Sequence, residues 1–193
     1  MALPERRYTA DDYFLIELSS TLKHEYLRGE IFAMSGASIA HNEITANLLT
    51  LLRTALRAAP CRAYASDLRV ATPSGLLTYP DLAVICGATE LLPGRPDTAT
   101  NPTVLVEVLS EATRAYDRGQ KFAAYKSLPS LKEYVLIEQD RIGVDHWQRR
   151  RDGTWVSKSI TRRSATLRLP ALGVRLPVSE IYRGVELAGQ PRS

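Results

Sequence analysis

Two acids in this sequence occupy places where a charge is costly. Asp81 follows Pro80 and opens the apolar run Leu82-Ala83-Val84-Ile85, and Glu107 sits inside Val104-Leu105-Val106-Glu107-Val108-Leu109. A charged carboxylate in such a strand is strongly unfavourable unless it is paired or bound to a cation. Two of them on neighbouring central strands repel each other, and a divalent metal between them resolves the repulsion. Magnesium suits that role, with manganese as a substitute, because it takes one or two carboxylates and keeps waters for a substrate phosphate. Each acid also has an ordinary alternative: a salt bridge to an arginine, or a strand end in water. Two acids one strand apart followed by a lysine, Lys121, form an order that suits phosphodiester cleavage.

The remaining polar residues carry less. His24 and His146 read as structural, and Asp67 in Ser66-Asp67-Leu68-Arg69 reads equally as a site residue or a cross-strand partner near Arg69. Pro96-Asp97 repeats the Pro-Asp pair, but no buried run follows it, so it is expected in a loop. There is no Walker-type glycine loop, dinucleotide fingerprint, Cys-x-x-Cys pair or His-Glu-x-x-His.

The elements that must position these residues follow from periodicity. Thr9 with Asp12 resembles a helix cap opening a short helix over Ala10–Leu18. His24–Leu27 and Glu30–Met34 flank Arg28-Gly29, a tight hairpin. Ile44, Leu48, Leu51, Leu52 and Leu56 place a long helix over Ser38 to about Ala59. Arg62–Ala71 and Leu76–Cys86 read as a strand and its return strand, followed by a Gly/Pro-rich loop, Gly87–Pro102. Thr103–Leu109 is a strand covered on both faces, 116–128 a helix ended by Pro129, and Glu133–Glu138 another buried strand. Short strands continue to Leu176, and Val178–Tyr182 forms a last helical turn. The expected fold class is therefore α/β, with an α-β-β-β-α-β core whose crossover makes the last two strands parallel in a mixed central sheet. An N-terminal helix and hairpin precede that core, and a C-terminal β extension follows it.

A chain of 193 residues supports one sizeable core, so a single domain over 1–193 is expected, with its core at about 24–147 and a basic extension at about 141–176. With 45% hydrophobic and 24% charged residues, the composition is that of an ordinary globular protein. No run approaches a membrane-spanning length, and no apolar stretch backs the charges of residues 1–7, so a cytoplasmic protein without a membrane partner is expected. In that setting Cys61 and Cys86 are expected to be a pair of reduced thiols. The net charge of +4 is unevenly spread: residues 141–175 hold nine Lys and Arg against two Asp and Glu, whereas residues 1–140 are net acidic. That segment fits either a phosphate-facing surface, with Arg149, Arg150 and Arg151 as contacts, or a solvated pair of Arg-rich strands.

Taken together, Tyr79-Pro80-Asp81-Leu82-Ala83-Val84-Ile85, Val106-Glu107-Val108-Leu109-Ser110, Thr113, Asp117-Arg118-Gly119-Gln120-Lys121 and Glu133–Ile137 resemble the Uma-two family, endonucleases of the PD-(D/E)XK superfamily. The resemblance extends upstream to His24–Glu30 and His41 and covers most of residues 8–147. It implies a restriction-endonuclease-like fold, with Asp81, Glu107 and the Val108 carbonyl as metal ligands and Lys121 orienting water or stabilising charge at phosphorus. The superfamily's usual lysine falls two residues after the second acid, where this chain has Leu109; Lys121 on the following helix would take its place. The alternative for Lys121 is a solvated helix lysine paired with Asp117. By the same resemblance Glu25 supplies an accessory acid. His41, in the first turn of its helix, could ligate metal, bond substrate or cap the turn. The function expected is a metal-dependent endonuclease acting on DNA, with a homodimer as its assembly. The alternative is an inactive, fold-retaining DNA-binding or homo-oligomeric assembly protein.

Overall fold

The computed structural model describes residues 7–34 and 36–187. Helix α1 (Ala10–Ser19) opens on a complete capping box between Thr9 and Asp12. The hairpin β1 (His24–Leu27) and β2 (Glu30–Ala33) turns through Arg28 and Gly29, both at positive φ (51° and 95°), as a two-residue hairpin turn of the I′ type requires. Helix α2 (Ile39–Ala55) is capped by the Ser38 hydroxyl. There follow β3 (Cys61–Ala65), β4 (Arg69–Ala71), β5 (Leu76–Thr78), β6 (Leu82–Cys86), β7 (Leu91–Leu92), β8 (Arg95–Ala99) and β9 (Val104–Leu109). Then α3 (Arg114–Tyr116) runs through a π-helical turn, Asp117–Lys121, into α4 (Phe122–Tyr125). The chain closes with β10 (Glu133–Glu138), β11 (Val144–Arg149), β12 (Trp155–Ile160), β13 (Thr166–Leu169), β14 (Val174–Pro177) and α5 (Val178–Ile181).

Two six-stranded sheets form. The central one has the order β12-β11-β10-β9-β6-β3, with β9 and β10 parallel and every other pair antiparallel. The expected core order and its parallel pair are both present. The second sheet has the order β2-β1-β5-β4-β8-β7. The two long strands expected at 62–71 and 76–86 are each broken, at Ser66–Leu68 and at Tyr79–Asp81, and each contributes one half to each sheet. The expected loop 87–102 carries β7 and β8; Pro96 falls within the register shift of that pair, where a missing amide does no harm.

The side chains of β9 alternate between two cores. Val104, Val106 and Val108 pack on α2 and the β13–β14 hairpin, whereas Leu105 and Leu109 face α4. The second core also takes Leu27, Val70 and Leu76 from the other sheet, so the α3–α4 helix lies in the angle between the sheets. Helix α1 covers the outer face of the second sheet through Tyr13 and Phe14 against Ala71 and Leu77.

The expectation of reduced thiols is overturned: Cys61 and Cys86 form a disulfide. They stand directly opposite each other in the β3–β6 ladder, a register that no local pattern reveals. Among the described residues no helix is long and apolar enough to cross a membrane.

Candidate active site

The centre forms where the chain passes from one sheet to the other. Leu82 pairs with Val106, so Asp81, one residue earlier, stands beside Glu107. The Asp81 Oδ2 accepts a 2.6 Å hydrogen bond from the Val108 amide, and the Asp81 amide points at Glu107 Oε2, 3.4 Å away. From the N-terminal turn of α2, His41 Nε2 reaches Asp81 Oδ2 at 3.2 Å, and the ring also bonds the Val108 backbone. His41 thus meets two of the groups named as metal ligands. Burial opposes its charge, but the bonds and field of Asp81, with Asp117 and Val108, outweigh burial and raise its pKa.

Glu107 is buried on the face of β9 that meets the α3–α4 helix. Its Oε1 accepts a 2.7 Å bond from the Tyr125 hydroxyl and lies 3.0 Å from Lys121 Nζ. Lys121 is itself buried and lies 2.9 Å from Glu25 Oε1 on β1 and 3.5 Å from Asp117 Oδ1, one turn back. The Thr78 hydroxyl also donates to Glu25. Lys121 is therefore not the solvated lysine of the alternative: it bridges both sheets, with Asp117 the most distant of its three acids.

The balance of charge is negative, with Glu25, Asp81, Glu107 and Asp117 against Lys121 and His41. Burial drives Glu107 well above the usual carboxylate range; Lys121 counters this, and Asp81, Asp117 and Glu25 reinforce it. Burial likewise raises Asp117. For Lys121 burial favours the neutral form, yet Glu107, Glu25 and Asp117 hold it firmly protonated. One lysine cannot neutralise this many buried acids, so the cluster has room for a proton or a further cation.

Among the described residues no three His, Cys, Asp or Glu side chains converge tightly enough to form a metal-holding group. The donor chemistry nevertheless fits a hard divalent ion: two carboxylates with an excess of negative charge around them, beside a backbone carbonyl.

The expected site residues Asp81, Glu107, Val108, Lys121, Glu25 and His41 are brought together. Arg149, Arg150 and Arg151 are not. Glu107 shares a row with Leu136 and Asp145 across β9, β10 and β11. Arg149 lies four residues further along β11, about 13 Å towards the opposite end of the sheet. There it donates to the Leu128 carbonyl at 3.1 Å. Asp67 pairs with Lys23, and Asp97 with Arg69 at 3.2 Å. His24 bonds Glu17 at 2.8 Å.

Sequence reasoning missed Thr78 and Tyr125, and it placed Asp117 only as a partner for Lys121. A signal for two of these exists: 117, 121 and 125 recur every four residues along one helix face. The π-helical turn falls on this stretch, as such turns often do at functional sites.

The Uma2 family model, described as "Putative restriction endonuclease", matches residues 10–179. The Synechocystis sp. protein named "Uncharacterized protein slr1290" is 34% identical over 185 residues, covering 94% of this chain and 95% of its own. A second Synechocystis protein, "Uncharacterized protein sll1609", is 34% identical over 160 residues, with 82% and 90% covered. The crystal structure of "a putative nuclease belonging to DUF820" from Anabaena variabilis shares the fold at TM-score 0.71 and 15% identity, covering 86% of this chain and 94% of that one. The restriction-endonuclease-like α/β fold and the match over residues 10–179 agree: this chain belongs to the Uma2 family.

Proposed function

We propose that this protein is a metal-dependent endonuclease that hydrolyses phosphodiester bonds of nucleic acid, DNA in the first instance. The observation that supports it most is the excess of buried acid around Asp81 and Glu107 at the junction of two sheets, in a chain of this family. Asp81, Glu107 and the Val108 carbonyl would hold the ion. When bound, magnesium or manganese supplies Lewis-acid polarisation of the phosphate and acidifies a coordinated water. Lys121 keeps a fixed positive charge beside Glu107, placed to stabilise charge developing on the phosphate, while Glu25 and Asp117 hold that ammonium in place. His41 offers an N–H or a ring nitrogen at Asp81. Arg149–Arg151 would touch only a nucleic acid long enough to run along the sheet.

The test is nicking of supercoiled plasmid with magnesium or manganese. Wild-type protein should nick it, and Asp81→Ala and Glu107→Ala should leave it intact; equal activity in all three would mean contamination. One observation favours a second reading, a retired site: Lys121 and His41 already sit on the acids a metal would need. Calorimetry separates the two. Divalent-ion binding that disappears in Glu107→Ala supports the nuclease, and no binding by wild type supports the retired site.

A further inference from the structure

The hairpin that delivers Glu25 also carries an aromatic ring to the edge of the same centre. Phe32 on β2 is the direct cross-strand partner of Glu25 on β1. Residues so paired project from one face of the sheet with Cβ atoms about 4.5–5.5 Å apart. Phe32 therefore stands one strand out from a carboxylate that lies 2.9 Å from Lys121, itself 3.0 Å from Glu107.

That face is otherwise covered. Leu27, Val70 and Leu76 are sealed beneath the α3–α4 helix. At β2, the outermost strand, the cover ends: Tyr116 reaches Phe32, with ring centroids 6.4 Å apart at 46°, and leaves it 45% exposed. The core has no need of this ring, because the neighbouring Ile31 packs into the α1 cluster on the other face. Isolated exposed apolar residues are ordinary on any surface. This one is backed by a second aromatic, and that second ring lies 5.9 Å from the Lys121 ammonium. The two rings form a ledge continuous with the carboxylate–lysine centre.

We propose that Phe32, backed by Tyr116, is a stacking platform for a nucleobase beside the phosphate bound at the centre, so that the favoured substrate presents an unpaired nucleotide. This rests on the nuclease reading and narrows its substrate class to single-stranded nucleic acid. A base inside a duplex has both faces covered by its neighbours and cannot meet the ring, whereas an unpaired base can. Stacking of this kind tolerates every base, because each has a π-face.

The test compares Phe32→Ala and Phe32→Trp with wild type, after melting curves confirm folding. Cleavage of one oligonucleotide sequence is measured as a single strand and as a duplex. The ratio of kcat/KM, single strand over duplex, should fall by roughly 5- to 100-fold in Phe32→Ala and be retained in Phe32→Trp. An unchanged ratio overturns the proposal. A second readout needs no chemistry: a single strand containing 2-aminopurine should be quenched on binding wild type and not on binding Phe32→Ala. Absence of quenching with wild type also overturns the stacking platform. Quenching without cleavage by wild type would instead retain the platform and sink the nuclease reading.

Discussion

Lys121 Nζ lies 3.0 Å from Glu107 Oε1, although the lysine comes from the α3–α4 helix and the acid from the middle of a central strand. Both side chains are buried, and the same ammonium serves Glu25 and Asp117. Removing one partner of such a pair leaves its acids uncompensated. Lys121→Met, which keeps the stem, should destabilise the protein by about 3–5 kcal/mol at neutral pH, a fall in Tm of about 10 °C. The loss should shrink as the pH falls and the stranded acids take up protons. Thermal melts at two pH values check this, and an unaltered Tm at neutral pH would show the lysine to be dispensable to the fold.

Glu107 offers the opposite outcome. Burial chiefly, with Asp81, Asp117 and Glu25, places its folded pKa above the unfolded value, against the pull of Lys121. The stability carried by its protonated form is therefore complete below the unfolded pKa and is lost as pH rises through the folded one. Glu107→Gln is neutral at every pH and keeps an acceptor for Tyr125 and Lys121. In divalent-free buffer it should exceed wild type by about 1 kcal/mol at pH 8, or about 2–4 °C in Tm, with the gain fading under acid conditions. The same variant should not nick plasmid. A Gln variant less stable than wild type at pH 8 would contradict the charge balance described for the cluster.

The Cys61–Cys86 bond closes a separation of 25 residues between two strands of the central sheet. Thiol titration of the unfolded, unreduced protein should find no free thiol, and two after reduction. Cys86→Ser should cost about 3 kcal/mol in the chain-entropy account of such loops. Two titratable thiols before reduction would restore the reduced pair that the sequence suggests.

Much of the fold was legible because it is local. The capping box at Thr9, the Arg28-Gly29 turn, the period of α2 and the apolar runs at 104–109 and 133–138 each follow from near neighbours in the chain. The splitting of the 62–71 and 76–86 strands was not legible, because two short halves and one long strand show the same alternation; only the meeting of two sheets decides between them. The placement of Pro96 in a strand pair followed from a bulge that pairing, not composition, creates.

The site divides in the same way. Asp81 and Glu107 stand out in the sequence because acids amid apolar strand residues demand an explanation, and Lys121 follows in the order that phosphodiester chemistry uses. The sequence by itself thus determined which side chains are the candidates for the proposed chemistry. Tertiary structure alone decided their company: Tyr125 on Glu107, Glu25 on Lys121, Cys61 opposite Cys86, and Arg149 at the far end of the sheet. The reason is physical. Residue type and short spacing set the cost of burying a group, whereas strand register and the angle between sheets set who shares that burial, and both arise from contacts between segments distant in the chain.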